Sequence, residues 1–176
     1  MIHLVRKFIP RFAMKLYHRF LAWAANAWYR SPSSRMVVIG ITGTSGKSTT
    51  VYLLSKMLEA AGYRVGAAST MLFKIDKREW VNDKKMTMVG RFALQRLLAD
   101  MAKANCHFAI IETTSQGIEQ YRHRGINYDV VLCTNLYPEH LEAHGGFENY
   151  KNAKLKLFKE LQPQVLPKAP AHQTSD

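Results

Sequence analysis

Residues 36–50 read MVVIGITGTSGKSTT, an apolar, β-branched run that leads directly into a glycine-rich turn. Residues 36–41 predict a buried strand, because a continuous run of this kind is typical of strands covered on both faces. Residues 51–58 then show the apolar spacing of a helix, which we expect to end near Gly62. A strand, a glycine-rich turn containing Lys-Ser and a helix, in this order, are typical of a phosphate-binding loop.

The turn supplies the groups that such a loop needs. Its glycines allow backbone N–H groups to face phosphate oxygens, Lys47 can reach the terminal phosphates, and the Ser48 hydroxyl can ligate Mg²⁺. The pattern is the short G-x-x-G-K-S-T-T, because Ile41 stands where the longer form has its first glycine. The alternative is a glycine-rich turn with a solvent-facing lysine. The predicted phosphate-binding residues are Gly43, Thr44, Ser45, Gly46, Lys47, Ser48 and Thr49.

Strand-like and helix-like segments alternate along the rest of the chain. The spacing predicts strands over residues 64–70, 107–112 and 129–134, and a helix over residues 92–104. Residues 73–85 fit either a hairpin or an exposed loop. This alternation predicts the α/β class, with a P-loop-type, doubly wound, mostly parallel sheet. Ligands of such sheets bind at the carboxyl ends of the strands.

Polar side chains follow two of the predicted strands. Glu112 ends one strand, where a carboxylate can either hold Mg²⁺ or simply be solvated. Asn135 follows the next strand, with Glu139, His140 and His144 just beyond it. His140 could ligate a metal or cap a loop, and spacing alone does not distinguish the two.

The chain has 176 residues, 25 of them Lys or Arg and 13 Asp or Glu, so its formal net charge is +12. The excess lies mainly in residues 1–35, which contain seven basic side chains and no acidic one. A hydrophobic content of 47% excludes a wholly disordered chain. No apolar run reaches the roughly 18 residues that a membrane span needs. Cys106 and Cys133 lie in apolar runs, and we expect two buried, reduced thiols.

The basic N-terminal segment has the pattern of an amphipathic helix. Its apolar side chains recur at helical spacing and form one stripe: Phe12, Leu16, Phe20 and Trp23. The basic side chains that flank this stripe are Arg11, Lys15 and Arg19. Pro10 suits the first turn of the helix, and residues 31–34 end it. Three interpretations are open: residues 1–30 bind a membrane surface, the helix packs on the protein or a partner, or it contacts nucleic acid.

Three stretches resemble the Mur ligase family, and in particular its UDP-N-acetylmuramoyl-tripeptide synthetase (MurE-type) branch. Residues 40–50, GITGTSGKSTT, are similar to the family's shortened phosphate loop. Residues 111–122, IETTSQGIEQYR, resemble its Glu-x-Ser-Ser-His-Gly segment. Residues 134–154, TNLYPEHLEAHGGFENYKNAK, resemble its Asn-Leu-x-x-Asp-His…Tyr-x-x-Ala-Lys block. The three stretches occur in the family's order, which makes them far more specific than the loop alone.

The resemblance implies ATP-dependent amide-bond formation in cytoplasmic peptidoglycan-precursor synthesis. A carboxylate of a UDP-N-acetylmuramoyl-peptide would attack the γ-phosphate of ATP, and the amine of an amino acid would displace phosphate from the resulting acyl phosphate. The implied catalytic residues are Lys47, Glu112, His140 and Lys154. Lys47 would bind the β- and γ-phosphates, while Ser48 and Glu112 would hold a first Mg²⁺. His140 would hold a second Mg²⁺ with Lys154, which matches the family's carbamylated lysine; an ordinary solvated lysine is the alternative.

The resemblance also implies contacts with the nucleotide and with the acceptor substrate. Asn135 matches a nucleotide-contacting asparagine, and the positions matching contacts to the UDP-muramoyl substrate are Thr87, Ser115 and Arg122. The sequence departs from the family pattern in three places: Gln116 for His, Glu139 for Asp, and Met88-Val89 for Thr-Pro. Two of these departures lie directly beside the expected substrate contacts.

The resemblance divides the chain into three parts. Residues 1–35 form the basic helix, and residues 36–161 are part of a Mur ligase central ATP-binding domain. Residues 162–176, which contain three prolines, are expected to form a disordered tail. The family's UDP-binding and amino-acid-binding domains have no counterpart in this sequence, so we expect a fragment with little activity by itself.

Two other functions fit parts of the sequence. One is a non-catalytic nucleotide-binding module that residues 1–30 hold peripherally on the inner face of the membrane. The other is a P-loop protein that acts on nucleic acid, which the spread of basic side chains along residues 36–176 does not favour. A second-metal pair of His140 and Lys154 would distinguish a ligase from a binding module, which has no need for one.

Overall fold

Six strands form one sheet, and helices cover both of its faces in the computed structural model, which describes residues 11–84, 86–139 and 141–161. The helices are α1 (Arg11–Trp28), α2 (Lys47–Ala60), α3 (Arg91–Lys103), α4 (Ser115–Glu119), α5 (Leu141–His144) and α6 (Phe147–Lys159). The strands are β1 (Val37–Thr42), β2 (Val65–Ala68), β3 (Leu72–Ile75), β4 (Arg78–Val81), β5 (Phe108–Glu112) and β6 (Val130–Cys133). A short 3₁₀ helix (Pro32–Arg35) joins α1 to β1.

The strands lie in the order β4-β3-β2-β5-β1-β6. The four strands β2, β5, β1 and β6 are parallel, which confirms the predicted α/β, mostly parallel, doubly wound sheet. The antiparallel hairpin β3–β4 extends the sheet beside β2, with Phe73 opposite Trp80. A hairpin, rather than an exposed loop, is therefore the correct interpretation of this segment.

The two faces of the sheet bury alternate side chains of the same strands. Val38 of β1 packs with Leu98 and Met101 of α3, whereas Ile39 packs on the other face with Val51 of α2. Full burial of one such aliphatic side chain contributes about 1.5–3 kcal/mol. The continuous apolar run of β1 therefore stabilises the sheet from both sides and holds the following turn on a rigid support.

Helix α1 packs on the domain through small side chains. Ala22 and Ala25 are buried. The helix approaches the loop before β6 so closely that a Cβ on Gly125 would lie 2.8 Å from the Cβ of Asn26. Gly125 also has a φ of 79°, a conformation that favours glycine. Residues 11–28 are thus helical, as the spacing predicts, and one face of the helix is anchored.

The aromatic stripe of α1 faces solvent rather than the domain. The exposed fractions of Phe12, Leu16, Phe20 and Trp23 are 75%, 57%, 59% and 66%. The packing of α1 therefore uses the opposite, alanine-rich face. Within the part of the chain that the structure describes, no helix is long and apolar enough to cross a membrane. Pro10 and the expected tail, residues 162–176, lie outside the described residues.

The two cysteines have different environments. Cys106 is buried, as expected, but Cys133 is exposed, so the expectation of two buried thiols is wrong for Cys133. The reason is that β6 lies at one edge of the sheet. An apolar run indicates a strand, but it does not indicate whether that strand is central or at an edge.

Candidate active site

The glycine-rich loop connects β1 to α2 at the carboxyl ends of the parallel strands. Gly43 and Gly46 have φ values of 141° and 76°, which favour glycine, so the turn depends on both. Asn135, just after β6, holds the loop in place: its Oδ1 accepts hydrogen bonds from the N–H groups of Thr44 and Ser45 at 3.1 and 3.0 Å. The contact of Asn135 with a nucleotide stays a prediction.

The start of α2 brings positive charge to this loop. Lys47 is the first residue of the helix, and its Nζ donates to the Thr44 carbonyl oxygen at 2.8 Å. Ser48 and Thr49 follow in the same turn, which contains no acidic residue. The N-terminus of a helix carries a partial positive charge and free N–H groups, both of which favour phosphate.

Glu112 ends β5 beneath this helix terminus and is only 2% exposed. Its Oε2 accepts hydrogen bonds from the Ser48 hydroxyl at 2.7 Å and from the Thr70 N–H at 2.8 Å, and its Oε1 accepts one from the Thr70 hydroxyl at 3.1 Å. The Thr70 hydroxyl also lies 2.7 Å from that of Thr87. Thr70 is a site residue that no motif indicated, although its place just after β2 at the ligand edge was a usable signal.

Lys154 reaches the loop from α6. It is 3% exposed, its Nζ donates to the Gly43 carbonyl oxygen at 2.6 Å, and it lies 4.6 Å from the centre of the Tyr150 ring. Burial, followed by the nearby charge of Lys47, lowers the pKa of Lys154 to about 8. The Tyr150 hydroxyl is 3.0 Å from the Thr44 hydroxyl. Lys154 is therefore a buried lysine that contacts the loop, and not a solvated one.

One cavity of about 390 Å³ lies between the loop, the end of β5 and α4. The predicted site residues that line it are Gly43, Thr44, Lys47, Thr87, Glu112, Ser115, Arg122 and Lys154. The structure thus brings predicted nucleotide residues and predicted substrate residues to a shared space. The other predicted nucleotide residues, which lie around the loop outside this lining, are Ser45, Gly46, Ser48, Thr49 and Asn135.

The far wall of the cavity includes the residues that are predicted to contact the UDP-muramoyl substrate. The guanidinium of Arg122 donates to the Met88 carbonyl oxygen, and burial lowers the pKa of Arg122. Met88, one of the departures from the family pattern, therefore contributes its backbone. Gln116, another departure, is exposed in the cavity wall. The Ser115 hydroxyl contacts the imidazole of His144, to which the motifs assigned no role.

The described residues offer oxygen ligands for one divalent cation. The Ser48 hydroxyl and Glu112 carboxylate meet at 2.7 Å, and oxygen donors are the ligands that Mg²⁺ prefers. Across residues 11–84, 86–139 and 141–161, no group of three or more His, Cys, Asp or Glu could hold a metal. His140 lies outside the described residues, so its pairing with Lys154 around a second Mg²⁺ stays a prediction.

Comparison with known sequences gives a consistent assignment. A model of the Mur ligase middle domain matches residues 41–168. The UDP-N-acetylmuramyl-tripeptide synthetase of Roseiflexus sp. (strain RS-1) is 42% identical over 143 residues, and that of Treponema pallidum (strain Nichols) is 39% identical over 143 residues. Each match covers 80% of this chain but only 28% or 26% of the relative. The chain thus spans about a quarter of the length of these relatives.

Solved structures share the fold. A UDP-N-acetylmuramoyl-L-alanyl-D-glutamate--2,6-diaminopimelate ligase has a TM-score of 0.63 and 31% identity, covering 72% of this chain and 26% of that one. E. coli FolC in complex with DHPP and ADP has a TM-score of 0.59 over 76% of this chain and 37% of its own, and its 19% identity supports the fold alone. Because the family match covers most of the sequence and includes the loop, Glu112 and Lys154, this chain belongs to the Mur ligase middle domain family.

Proposed function

We propose that this chain is the ATP-binding part of a cytoplasmic Mur-type ligase that joins an amino acid to a UDP-N-acetylmuramoyl-peptide. The observation that carries the proposal is one cavity whose lining includes Lys47, Glu112 and Lys154 together with Ser115 and Arg122. The names of the related proteins support the same substrate class. Since the chain spans about a quarter of those relatives, ligand binding is the property to test first.

ATP would lie with its phosphates against the glycine-rich loop. The ammonium of Lys47, the N-terminus of α2 and the buried ammonium of Lys154 surround this loop with positive charge. Charge builds on the phosphoryl group during transfer, and cations held in place beforehand stabilise it without reorganising. This arrangement favours a nucleoside triphosphate over a neutral ligand.

Mg²⁺ fits the oxygen pair of Ser48 and Glu112, with phosphate oxygens as further ligands. When bound, it would neutralise charge on the phosphates. Thr70 donates two hydrogen bonds to the Glu112 carboxylate and so orients it before any ligand arrives. Support from such a neighbour is typical of residues that bind a metal.

The proposed reaction has two steps. A carboxylate oxygen of the UDP-muramoyl-peptide attacks the γ-phosphorus of ATP, the bond from that phosphorus to the β-phosphate oxygen breaks, and ADP leaves. The amine nitrogen of the amino acid then attacks the acyl carbon, phosphate leaves, and the nitrogen loses a proton. Lys47 and Arg122 line the same cavity, so each anionic reactant meets a positive charge and the two can be held together.

The lowered pKa of Lys154 supports its proposed carbamylation. A pKa of about 8 leaves more neutral amine near neutral pH than an exposed lysine has. The neutral nitrogen adds to the carbon of CO₂ and loses a proton, giving an anionic carbamate whose oxygens could bind a second Mg²⁺ with His140. With isotope-labelled bicarbonate, NMR should show a carbamate carbonyl signal that Lys154→Met lacks. The same spectrum for both proteins would contradict the modification.

Calorimetry with ATP and Mg²⁺ tests the nucleotide site. We expect the whole chain to bind, and Lys47→Ala to bind about 30- to 100-fold more weakly, equivalent to about 2–3 kcal/mol for a lost charged contact. Lys56→Ala, which changes an exposed lysine of the same helix, is the matched control. No heat with the unchanged chain would refute the nucleotide site. If the unchanged chain binds ATP, phosphate release is then measured in the presence of UDP-N-acetylmuramoyl-L-alanyl-D-glutamate to test whether the acyl phosphate forms.

As a second function we infer that α1 holds the chain peripherally on an anionic membrane surface. The supporting observation is the solvent-facing stripe of Phe12, Leu16, Phe20 and Trp23. Residues 1–35 also contain seven basic side chains and no acidic one. Aromatic side chains with flanking cations are typical of helices that lie in a membrane interface, and each cation near an anionic surface contributes about 1 kcal/mol.

Vesicle flotation tests this second function. The chain should float with vesicles of mixed phosphatidylglycerol and phosphatidylcholine at low salt and less with phosphatidylcholine alone, because only the former attract the cations. Added salt should weaken the binding through screening. Equal recovery in the bottom fraction with both vesicle types would argue against a membrane role and would leave the ligase proposal intact.

A further inference from the structure

His144 links the two ends of α4 in the cavity wall. Its Nε2 lies 3.1 Å from the Ser115 hydroxyl oxygen, and its Nδ1 lies 3.2 Å from Oε1 of Glu119. Ser115 and Glu119 are the first and last residues of α4, whereas His144 ends α5. The His144 side chain is fully buried, and Ser115 is 5% exposed. A short chain of polar contacts therefore leads from Glu119 through the imidazole to the cavity.

We propose that His144 is a positioning residue, which orients the Ser115 hydroxyl so that Ser115 accepts a hydrogen bond from a neutral N–H or O–H group of the UDP-muramoyl-peptide. This inference rests on the proposed function, because it concerns how the same cavity holds its acceptor substrate. It assigns to Ser115 a chemical preference that the motif does not contain. Ser115 is expected to select a donor group and to disfavour an anionic oxygen.

The preference follows from the hydrogens available in the chain of contacts. The Glu119 oxygen lies at ion-pair distance from Nδ1 of His144 without the alignment of a hydrogen bond, and its negative charge attracts an N–H hydrogen, so it favours the imidazole form with its hydrogen on Nδ1. In the neutral imidazole, Nε2 is then an acceptor, and the single hydrogen of the Ser115 hydroxyl is used to reach it. The Ser115 oxygen is left with lone pairs, which bind donors.

The other polar side chains of the cavity suit different chemical groups of the ligand from those that suit Ser115. Lys47, Arg122 and Lys154 supply positive charge, which suits phosphates and carboxylates. Ser115 supplies a neutral acceptor at the α4 side. A UDP-muramoyl-dipeptide has both kinds of group, since it contains amide N–H groups and sugar hydroxyls as well as anions. His144 would therefore help to set which part of the ligand faces α4.

The imidazole is held in this orientation by packing. Its ring meets the Tyr150 ring edge-on, with centroids 5.2 Å apart, and the Tyr150 hydroxyl contacts Thr44 of the glycine-rich loop. Rotation of the His144 ring would disturb its contact with the Tyr150 ring and its contact with the Ser115 hydroxyl. A purely structural role for His144 would be limited to this packing, so a useful test must separate the packing from the hydrogen bond to Ser115.

Nitrogen NMR of the imidazole rings tests the orientation in the whole chain without a ligand. We expect His144 to have a protonated Nδ1 and an unprotonated, hydrogen-bonded Nε2, and we expect Ser115→Ala to shift the Nε2 signal alone. The His144 nitrogen signals are assigned as those that are absent from the spectrum of His144→Gln. A doubly protonated ring, or a ring whose Nε2 does not respond to Ser115→Ala, would overturn the proposal.

Calorimetry with UDP-N-acetylmuramoyl-L-alanyl-D-glutamate tests the effect on the ligand. His144→Phe keeps a ring against Tyr150 but loses both polar contacts, and should weaken binding about tenfold with ATP binding unchanged within about twofold. His144→Gln, whose amide can still accept from Ser115, should recover most of the loss. His123→Phe is the matched control, because it removes another buried His–Glu contact, that of His123 with Glu160 at 3.2 Å, at a residue that does not line the cavity.

The outcomes separate the inference from the proposed function. If the unchanged chain binds no nucleotide, the proposed function fails. If it binds nucleotide but not the muramoyl-dipeptide, or if His144→Phe binds that ligand as tightly as the unchanged chain, the role of His144 is refuted and the nucleotide site stands. If His144→Phe does not fold, Ser115→Ala makes the same test, because it leaves the imidazole packed and removes only the hydroxyl.

Discussion

The cavity and helix α1 depart from ordinary burial in opposite directions. In the cavity, ionisable side chains are buried: Glu112 is 2% exposed and Lys154 is 3% exposed. On α1, large apolar side chains are exposed, with Phe12 at 75% and Trp23 at 66%. Buried charges and exposed aromatic stripes both cost free energy in an isolated protein, so each indicates a ligand or surface that the residues serve.

The two regions differ in the contacts that offset this free-energy cost. Glu112 accepts three hydrogen bonds and Lys154 donates to a loop carbonyl, so both buried charges of the cavity have hydrogen-bond partners before a ligand enters. The stripe of α1 gains its order from the opposite face of the same helix, through Ala22 and Ala25. A preorganised pocket suits a small anionic ligand, whereas an anchored apolar face suits an extended surface.

The largest effect on stability should come from placing a charged side chain on the buried face of α1. Ala25→Asp places a carboxylate at a position that is 0% exposed, and we expect a loss of about 3 kcal/mol in the free energy of unfolding. Urea unfolding followed by circular dichroism measures it. Ala27→Asp, an exposed position on the same helix, should change stability by less than about 0.5 kcal/mol. Equal losses at both positions would mean that α1 is not docked through its alanines.

A smaller effect concerns the buried charge of Lys154. Its pKa is about 8 in the folded protein against an ordinary value of 10.5. Below about pH 8 the lysine is protonated in both states, and the folded state carries the full cost of the buried charge. Between the two values the unfolded state binds more protons, so stability rises with pH. Unfolding measured in urea at neutral pH and about pH 9.5 should show a gain of about 2 kcal/mol relative to Lys154→Met.

The control for this pH effect is Lys159→Met, which alters an exposed lysine of the same helix. Its unfolding free energy should follow that of the unchanged chain at both pH values. The experiment is done in degassed buffer, since CO₂ would react with the neutral amine. A Lys154→Met curve parallel to that of the unchanged chain would show that the lysine is solvated, and the contrast between cavity and α1 would lose its buried cation.

Substitution of either of two buried tyrosines should lower the free energy of unfolding by about 1 kcal/mol. Comparison of the two variants distinguishes a contact of the candidate site from a contact of the core. Tyr150→Phe removes a hydroxyl contact to Thr44 of the loop, and Tyr128→Phe removes one to Thr113 behind it. Each should lower the free energy of unfolding by about 1 kcal/mol. Only Tyr150→Phe should also weaken ATP binding in calorimetry, because only Tyr150 orders the loop. Equal nucleotide affinities for both variants would contradict that role.

The order of elements could be predicted from the sequence because it depends on local patterns. Apolar runs indicated β1 and β5, and the glycine-rich turn indicated where α2 begins. The order of the strands in space was beyond such patterns, since β1 lies between β5 and β6, which follow it far along the chain. The exposed Cys133 is a consequence of that order.

The place of a residue in the candidate site could be predicted where a motif follows a strand, as for Lys47 and Glu112, which both line the cavity. It was not predictable where a residue acts through a partner distant in sequence. Thr70 supports Glu112 from another strand, and His144 reaches Ser115 from α5. The stripe of α1 was visible as a pattern, but which face would be anchored depended on the small side chains of the opposite face, whose partners lie elsewhere in the chain.

The smallest effect on stability should come from the exposed stripe, and it is the sharpest test of the comparison. Trp23 is 66% exposed, so Trp23→Ser should change the free energy of unfolding by less than about 0.5 kcal/mol. If the stripe contacts lipid, the same change should lower recovery with phosphatidylglycerol vesicles by about tenfold, because the indole contributes most of the apolar area at that point. Leu53→Ser, at a position 54% exposed on α2, controls for the loss of any exposed apolar side chain.

The two readouts of Trp23→Ser assign the stripe to one of two roles. A marked loss of stability with unchanged flotation would mean that the indole packs on this chain, so the stripe would belong to the fold. Unchanged stability with reduced flotation would mean that the stripe serves an outside surface. Since Ala22 and Ala25 already bury the opposite face of α1, the packing of the helix does not require the stripe. The second outcome is therefore the one that the structure favours.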